Sequence, residues 1–158
     1  MIFVTVGTQA KGFPRCLREV EKLIKEKGIK EEVVAQIGYS GFESDIIKTV
    51  PFVGENEYRQ YIQNASMIIT HAGSGALFNS IKTGKKVIAM ARLKDFNEMI
   101  DNHQLELVKK LAEGGYIIDG SYSLSAAWEK LPAFTPREND FKCEIVPFLD
   151  KYIEDCFK

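Results

Sequence analysis

The chain has 158 residues, 45% hydrophobic and 27% charged, the balance of an ordinary globular domain. That excludes a disordered chain, a collagen-like repeat and a disulfide scaffold, and the length suits one domain that buries its own core. The 21 Lys and Arg against 22 Asp and Glu leave a formal net charge of -1, so nothing global favours nucleic acid as a partner.

Cys16, Cys143 and Cys156 have no metal-like spacing and are expected to be free, reduced thiols. Met1–Val6 lacks the basic start of a secretory leader, and no apolar run reaches the length of a membrane span. The expectation is a soluble, cytoplasmic chain that works at a membrane only through a partner.

Ile2–Val6 is a short β-rich run ending in Gly7-Thr8-Gln9. Phe13, Leu17, Val20 and Ile24 then recur at helical spacing, and Gly28 stops that helix. Glu32–Ile37 reads as a second strand closed by Gly38. Ile46–Val53 contains Pro51 and reads as a short or edge strand. Glu55–Asn64 is a short helix, and Ser66–Thr70 is a buried strand followed by His71-Ala72-Gly73-Ser74-Gly75. Ala76–Thr83 is a helix stopped by Gly84, Lys86–Met90 a strand, Phe96–Glu113 a long helix stopped by Gly114-Gly115, and Tyr116–Asp119 the last strand. This alternation predicts an α/β fold, a Rossmann-like, mainly parallel sheet sandwiched by helices. Right-handed crossovers then gather the loops after the strands at one edge, where ligands of such sheets bind.

Residues 1–130 form this predicted domain, and 131–158 read as a connection with a C-terminal amphipathic helix. Pro132 and Pro136 mark the irregular connection. After it, Ile145, Phe148, Leu149, Tyr152, Ile153 and Cys156 form one apolar helical stripe, with Pro147 in its first turn. The stripe docks on its own sheet or meets another chain; both readings stand.

The strongest local feature is Thr70-His71-Ala72-Gly73-Ser74-Gly75, between a buried strand and a helix start. Amides at a helix N-terminus attract phosphate, glycine allows close approach, and Ser74 adds a hydroxyl. A tight turn with a serine cap is the plainer alternative. Gly7-Thr8-Gln9 is a second loop of this kind, and two such loops facing one cleft suit a diphosphate. Asn102, His103 and Gln104 supply donors and acceptors fit for sugar hydroxyls. His71 and His103 lack HExxH spacing, so no metal site is expected. GxSxG, Walker A and GxGxxG motifs are absent.

Val4–Gln9, Gln36-Ile37-Gly38, Pro51-Phe52-Val53, Thr70–Gly75, Gly84-Lys85-Lys86 and Asn102–Leu107 together, in this order, resemble the family 28 glycosyltransferases. The closer resemblance is to the catalytic subunit of split, two-chain UDP-sugar transferases. Those serve dolichol-linked oligosaccharide synthesis with N-acetylglucosamine, or bacterial capsule and exopolysaccharide synthesis with galactose or glucuronic acid.

The resemblance implies the C-terminal, donor-binding half of a GT-B fold. It implies an inverting hexosyltransferase that uses a UDP-sugar without a cofactor or metal and acts on a lipid-linked saccharide acceptor. A membrane-anchored partner subunit would hold the acceptor and recruit this chain to the cytoplasmic face of a membrane. Self-association stays open, since the unpaired apolar stripe can form a homodimer when that partner is absent. By resemblance, Gly7, Thr8, Gln9, Gly73, Ser74 and Gly75 surround the diphosphate, backbone at Phe52 and Val53 reads uracil, and Asn102, His103 and Gln104 face the sugar. Asn79 stands where the family often has a glutamate for the ribose. No catalytic base is assigned; His71 is a candidate, with a loop-bracing or phosphate-contacting role the simpler one. An accessory subunit that binds nucleotide sugar without catalysis is the alternative.

Overall fold

The computed structural model describes residues 1–138. The predicted C-terminal helix, with Cys143, Pro147 and Cys156, lies outside the described residues.

Six strands form one sheet: β1 (Ile2–Thr5), β2 (Val33–Gln36), β3 (Lys48–Val50), β4 (Met67–His71), β5 (Lys86–Met90) and β6 (Ile118–Asp119). All pair in parallel, in the order β3-β2-β1-β4-β5-β6. The chain winds outward from β1 to β3, then returns to place β4 against the other side of β1. The order therefore reverses between β1 and β4.

Among the described residues, five helices cover the two faces: α1 (Pro14–Lys27), α2 (Glu55–Asn64), α3 (Ser74–Ile81), α4 (His103–Glu113) and α5 (Leu124–Lys130). Successive strand residues point to opposite faces. Val4, Ile69 and Ile88 meet Leu17 and Val20 of α1 and Leu124 of α5, whereas Phe3, Ile68 and Val87 meet Ile62 of α2, Leu77 of α3 and Val108 of α4. Burial on both faces explains why the central strands read as unbroken apolar runs. Pro14 opens α1, and Gly28 closes it in the left-handed conformation at φ 61°.

Three sequence expectations change. The long helix predicted over Phe96–Glu113 is split into a 3₁₀ turn at Lys94–Phe96, a loop through Asn97 at φ 54°, and α4 from His103. The cause is tertiary: the Glu98 carboxylate turns inward, pairing with Arg15 Nε at 2.9 Å and accepting from Leu93 N at 2.9 Å. The predicted strand from Tyr116 shortens to Ile118–Asp119. Helix α5 was not foreseen, although Ser123 Oγ caps it by accepting from Ala126 N at 3.2 Å. No helix among the described residues is long and apolar enough to cross a membrane.

Candidate functional site

In open parallel sheets the ligand crevice lies beyond the carboxyl ends of the strands, where the order reverses. Here a cleft of about 470 Å³ opens there. Its walls are Thr5, Gly7 and Thr8 after β1, Gln36 at the end of β2, Val53, Glu55 and Tyr58 around the start of α2, and His71, Gly73, Ser74, Gly75, Ala76 and Asn79 from β4 into α3.

His71 organises the floor. Its Nδ1 lies 3.3 Å from the Thr5 carbonyl oxygen, which only accepts, so Nδ1 carries the proton and donates. The ring fits because both flanking loops carry glycine. A Cβ at Gly7 would lie 2.6 Å from His71 Cε1, and one at Gly73 would strike Nε2. Gly7 also needs its positive φ of 75°. Burial pushes the His71 pKa below 6.5; the Thr5 carbonyl opposes this, and the Arg92 cation adds to it. The ring is therefore neutral at pH 7.

Thr5 Oγ1 donates to Gln36 Oε1 at 2.9 Å, which ties β1 to β2 beneath the cleft. Burial raises the Tyr58 pKa, opposed by a hydrogen bond with Thr5. Helix α3 begins on Gly73 with no side-chain cap and no acid in its first turn. Its leading amides and dipole thus offer a site for an anion. Among the described residues no lysine or arginine lines the cleft, so backbone donors are the groups available for that role, and Glu55 is the one carboxylate of the described lining.

Residues 1–152 match the model of the glycosyltransferase family 28 C-terminal domain. The chain belongs to this family. It is 28% identical over 123 residues to the UDP-N-acetylglucosamine transferase subunit ALG13 of Homo sapiens, covering 73% of this chain and 10% of that protein. It is 26% identical over 110 residues to the subunit of the same name from Saccharomyces cerevisiae, covering 63% and 52%. The family 28 chain thus spans a tenth of the human relative and about half of the yeast one. A solution NMR structure of ALG13 superposes with a TM-score of 0.58 at 18% identity, covering 89% of each chain. The calicheamicin glycosyltransferase CalG4 superposes with a TM-score of 0.55 at 14% identity, over 82% of this chain and 32% of that one. At such identities the two structures establish a shared fold: the Rossmann-like half of the GT-B architecture.

Of the residues that the sequence singles out in this family 28 chain, Gly7, Thr8, Val53, His71, Gly73, Ser74, Gly75 and Asn79 gather in the cleft. The others are not among its lining residues. Gln9 turns to a neighbouring cavity, where its Nε2 sits 3.6 Å from Met99 Sδ. Phe52 is 47% exposed and packs edge-on against Tyr39, with ring centroids 4.9 Å apart. Asn102 Oδ1 accepts from Lys94 N at 3.2 Å, and Gln104 Oε1 accepts from Arg92 N at 3.1 Å. His103 is 80% exposed, near Asp101 and Glu106. Sequence reasoning missed Thr5, Gln36, Glu55, Tyr58 and Ala76. Gln36 had a signal, the lone polar residue in Val-Val-Ala-Gln-Ile.

Proposed function

We propose that this chain is the catalytic, donor-binding subunit of an inverting glycosyltransferase. It takes a hexose from a UDP-sugar and passes it to a lipid-linked acceptor in glycan or polysaccharide synthesis. A membrane-anchored partner supplies the acceptor half and holds this chain at the cytoplasmic face. The observation that carries the reading is the pairing, across one cleft, of the uncapped start of α3 with the Gly7-Thr8 loop. N-acetylglucosamine is the sugar that the relatives' name points to, with galactose and glucuronic acid as the competitors.

In this reading the acceptor hydroxyl attacks the anomeric carbon from the face opposite UDP. The bond from that carbon to the β-phosphate oxygen breaks, the configuration inverts, and charge builds on the departing diphosphate. Amides of Ser74, Gly75 and Ala76, fixed before the reaction, stabilise that charge as an oxyanion hole does. The Ser74 hydroxyl adds a donor. A metal ion has no part in the proposal. The neutral His71 holds Gly7 and Gly73 apart and takes up a proton when phosphate arrives. The base that receives the acceptor's proton is assigned to the partner subunit.

Asn79 favours a second reading, because an amide replaces a charge-assisted ribose contact with a weaker one. A chain binding donor only loosely suits an accessory subunit. Calorimetry with UDP, UDP-N-acetylglucosamine, UDP-galactose and UDP-glucuronic acid tests the site, and Ser74→Ala should weaken every titration. Transfer by the assembled subunits decides the role. Activity lost in Ser74→Ala or Gln104→Ala supports catalysis, and activity unchanged in both supports the accessory reading.

A further inference from the structure

We propose that Arg92 is the positioning residue of the donor site, one buried guanidinium that fixes both ends of the Gly7–Lys11 loop while its backbone amide fixes Gln104. This rests on the reading of that loop as a diphosphate contact. Arg92 follows β5 and is 1% exposed. Its Nη2 donates to the Val6 carbonyl at 3.1 Å, and its Nη1 donates to the Gly12 carbonyl. Those carbonyls bracket the loop. Between them, Gly12 N donates to Gln9 O at 2.9 Å and closes a turn. The guanidinium carbon stands 4.7 Å from the centroid of the Phe13 ring. From the other side, Arg92 N donates to Gln104 Oε1 at 3.1 Å. That bond occupies one lone pair of Oε1 and fixes the orientation of the Gln104 amide, leaving Nε2 as a donor.

Burial disfavours the Arg92 cation, and the Glu98 charge opposes that effect. Among the described residues no carboxylate is hydrogen-bonded to it and its Nε has no partner. Its two hydrogen bonds go instead to the Val6 and Gly12 carbonyls, which lose a donor when it is replaced. The neighbouring Arg15 already ties the segment after β5 to α1, bonding Glu98 at 2.9 Å and the Ala91 and Ser121 carbonyls at 2.8 Å each. What Arg92 adds is the shape of the loop.

The test compares Arg92→Met and Arg92→Lys in the assembled transferase, with calorimetric UDP binding and amide exchange on each chain. We expect Arg92→Met to fold with a lowered Tm, because the Val6 and Gly12 carbonyls lose a donor, to raise the donor KM about tenfold or more, and to leave the acceptor KM unchanged. Arg92→Lys keeps the charge and one carbonyl contact, so it restores part of the loss. In Arg92→Met the Gly12 amide exchanges faster, whereas amides inside α1 do not. A donor KM within about twofold of the parent, or a loss confined to kcat, overturns the proposal; so does unchanged exchange at Gly12. Should Arg92→Met not fold, the same comparisons on Arg92→Lys decide. If the parent binds no UDP even when assembled, the donor-site reading fails, and exchange at Gly12 still judges the role of Arg92 in the loop.

Discussion

A single imidazole joins the two central strands at their carboxyl ends: His71 Nδ1, at the end of β4, lies 3.3 Å from the carbonyl oxygen of Thr5, at the end of β1. Because burial favours the neutral ring, the folded pKa lies below the ordinary 6.5. The sign follows from linkage. The resulting stability is present above pH 6.5 and is lost as pH falls through the lower, folded value. On the proposed reading, a diphosphate in the cleft would place negative charge near the ring and reverse the preference. An NMR titration of the imidazole resonances should give a His71 midpoint below 6.5 that rises when UDP is added. A midpoint at or above 6.5 in the free chain sinks this account. His103→Ala assigns the signals, since the chain has two histidines.

Gly73 has an ordinary φ of -69°, and the nearest atoms a side chain there would meet are those of the His71 ring. Gly73→Ala should therefore lower stability by about 1–3 kcal/mol, the usual cost of overpacking. Combining it with His71→Ala should remove most of that increment, leaving a coupling well outside the error of additivity. Gly7→Ala meets both the ring and a φ of 75°, so His71→Ala rescues it only in part. Urea unfolding of the three single and two double variants measures each term. Additive losses for Gly73 and His71 contradict the packing argument.

The Arg15–Glu98 pair is largely shielded, with side-chain exposures of 16% and 12%. Glu98→Gln keeps an oxygen for Leu93 N but leaves the Arg15 cation without its counter-charge. A loss of about 2–4 kcal/mol is expected, read from the shift of the urea midpoint at constant m-value. A change under about 0.5 kcal/mol would mark the pair as an ordinary surface contact.

Asn79 and Glu55 line the same cleft, and Glu55 is the one carboxylate among its described lining residues. If Asn79 faces the ribose, Asn79→Glu supplies a stronger, charge-assisted bond to its hydroxyls. UDP affinity should rise about five- to tenfold, and affinity for a 2′,3′-dideoxy analogue should not. Calorimetry with both nucleotides distinguishes a ribose contact from a general charge effect, which would move the two together.

Cys16 sits fully buried against the sheet, and burial pushes its thiol up to about 12. At neutral pH almost no thiolate forms, and no reagent reaches it. In a Cys143→Ser/Cys156→Ser chain, thiol labelling should proceed only at the rate of unfolding. Rapid labelling of the native protein would contradict the burial of α1.

The central strands were legible because β1, β2, β4 and β5 are apolar on both faces, and Gly7-Thr8 and Gly73-Ser74-Gly75 declared the two loops that share the cleft. What the sequence concealed was direction. Asn102 and Gln104 carry the right chemistry for a sugar, yet their oxygens are engaged by Lys94 N and Arg92 N. Nothing within a few residues of either position reports that. The segment before α4 reads as helix until Glu98 is drawn inward by Arg15, a partner 83 residues away. Arg92 itself looks like an ordinary residue after a strand, since the carbonyls that define it lie at Val6 and Gly12. Short elements such as α5 carry too few turns for a clear period.

The reach of Arg92 also sets an order of events during synthesis. The first loop of the chain is completed by a side chain 80 residues beyond Gly12 and 86 beyond Val6, and β1 needs β4 at its flank. A nascent chain emerging N-terminus first therefore exposes Gly7–Lys11 without its final geometry until β5 has left the ribosome. Stalled or truncated products that end before Arg92 carry the loop residues without the side chain that joins the two ends of the loop.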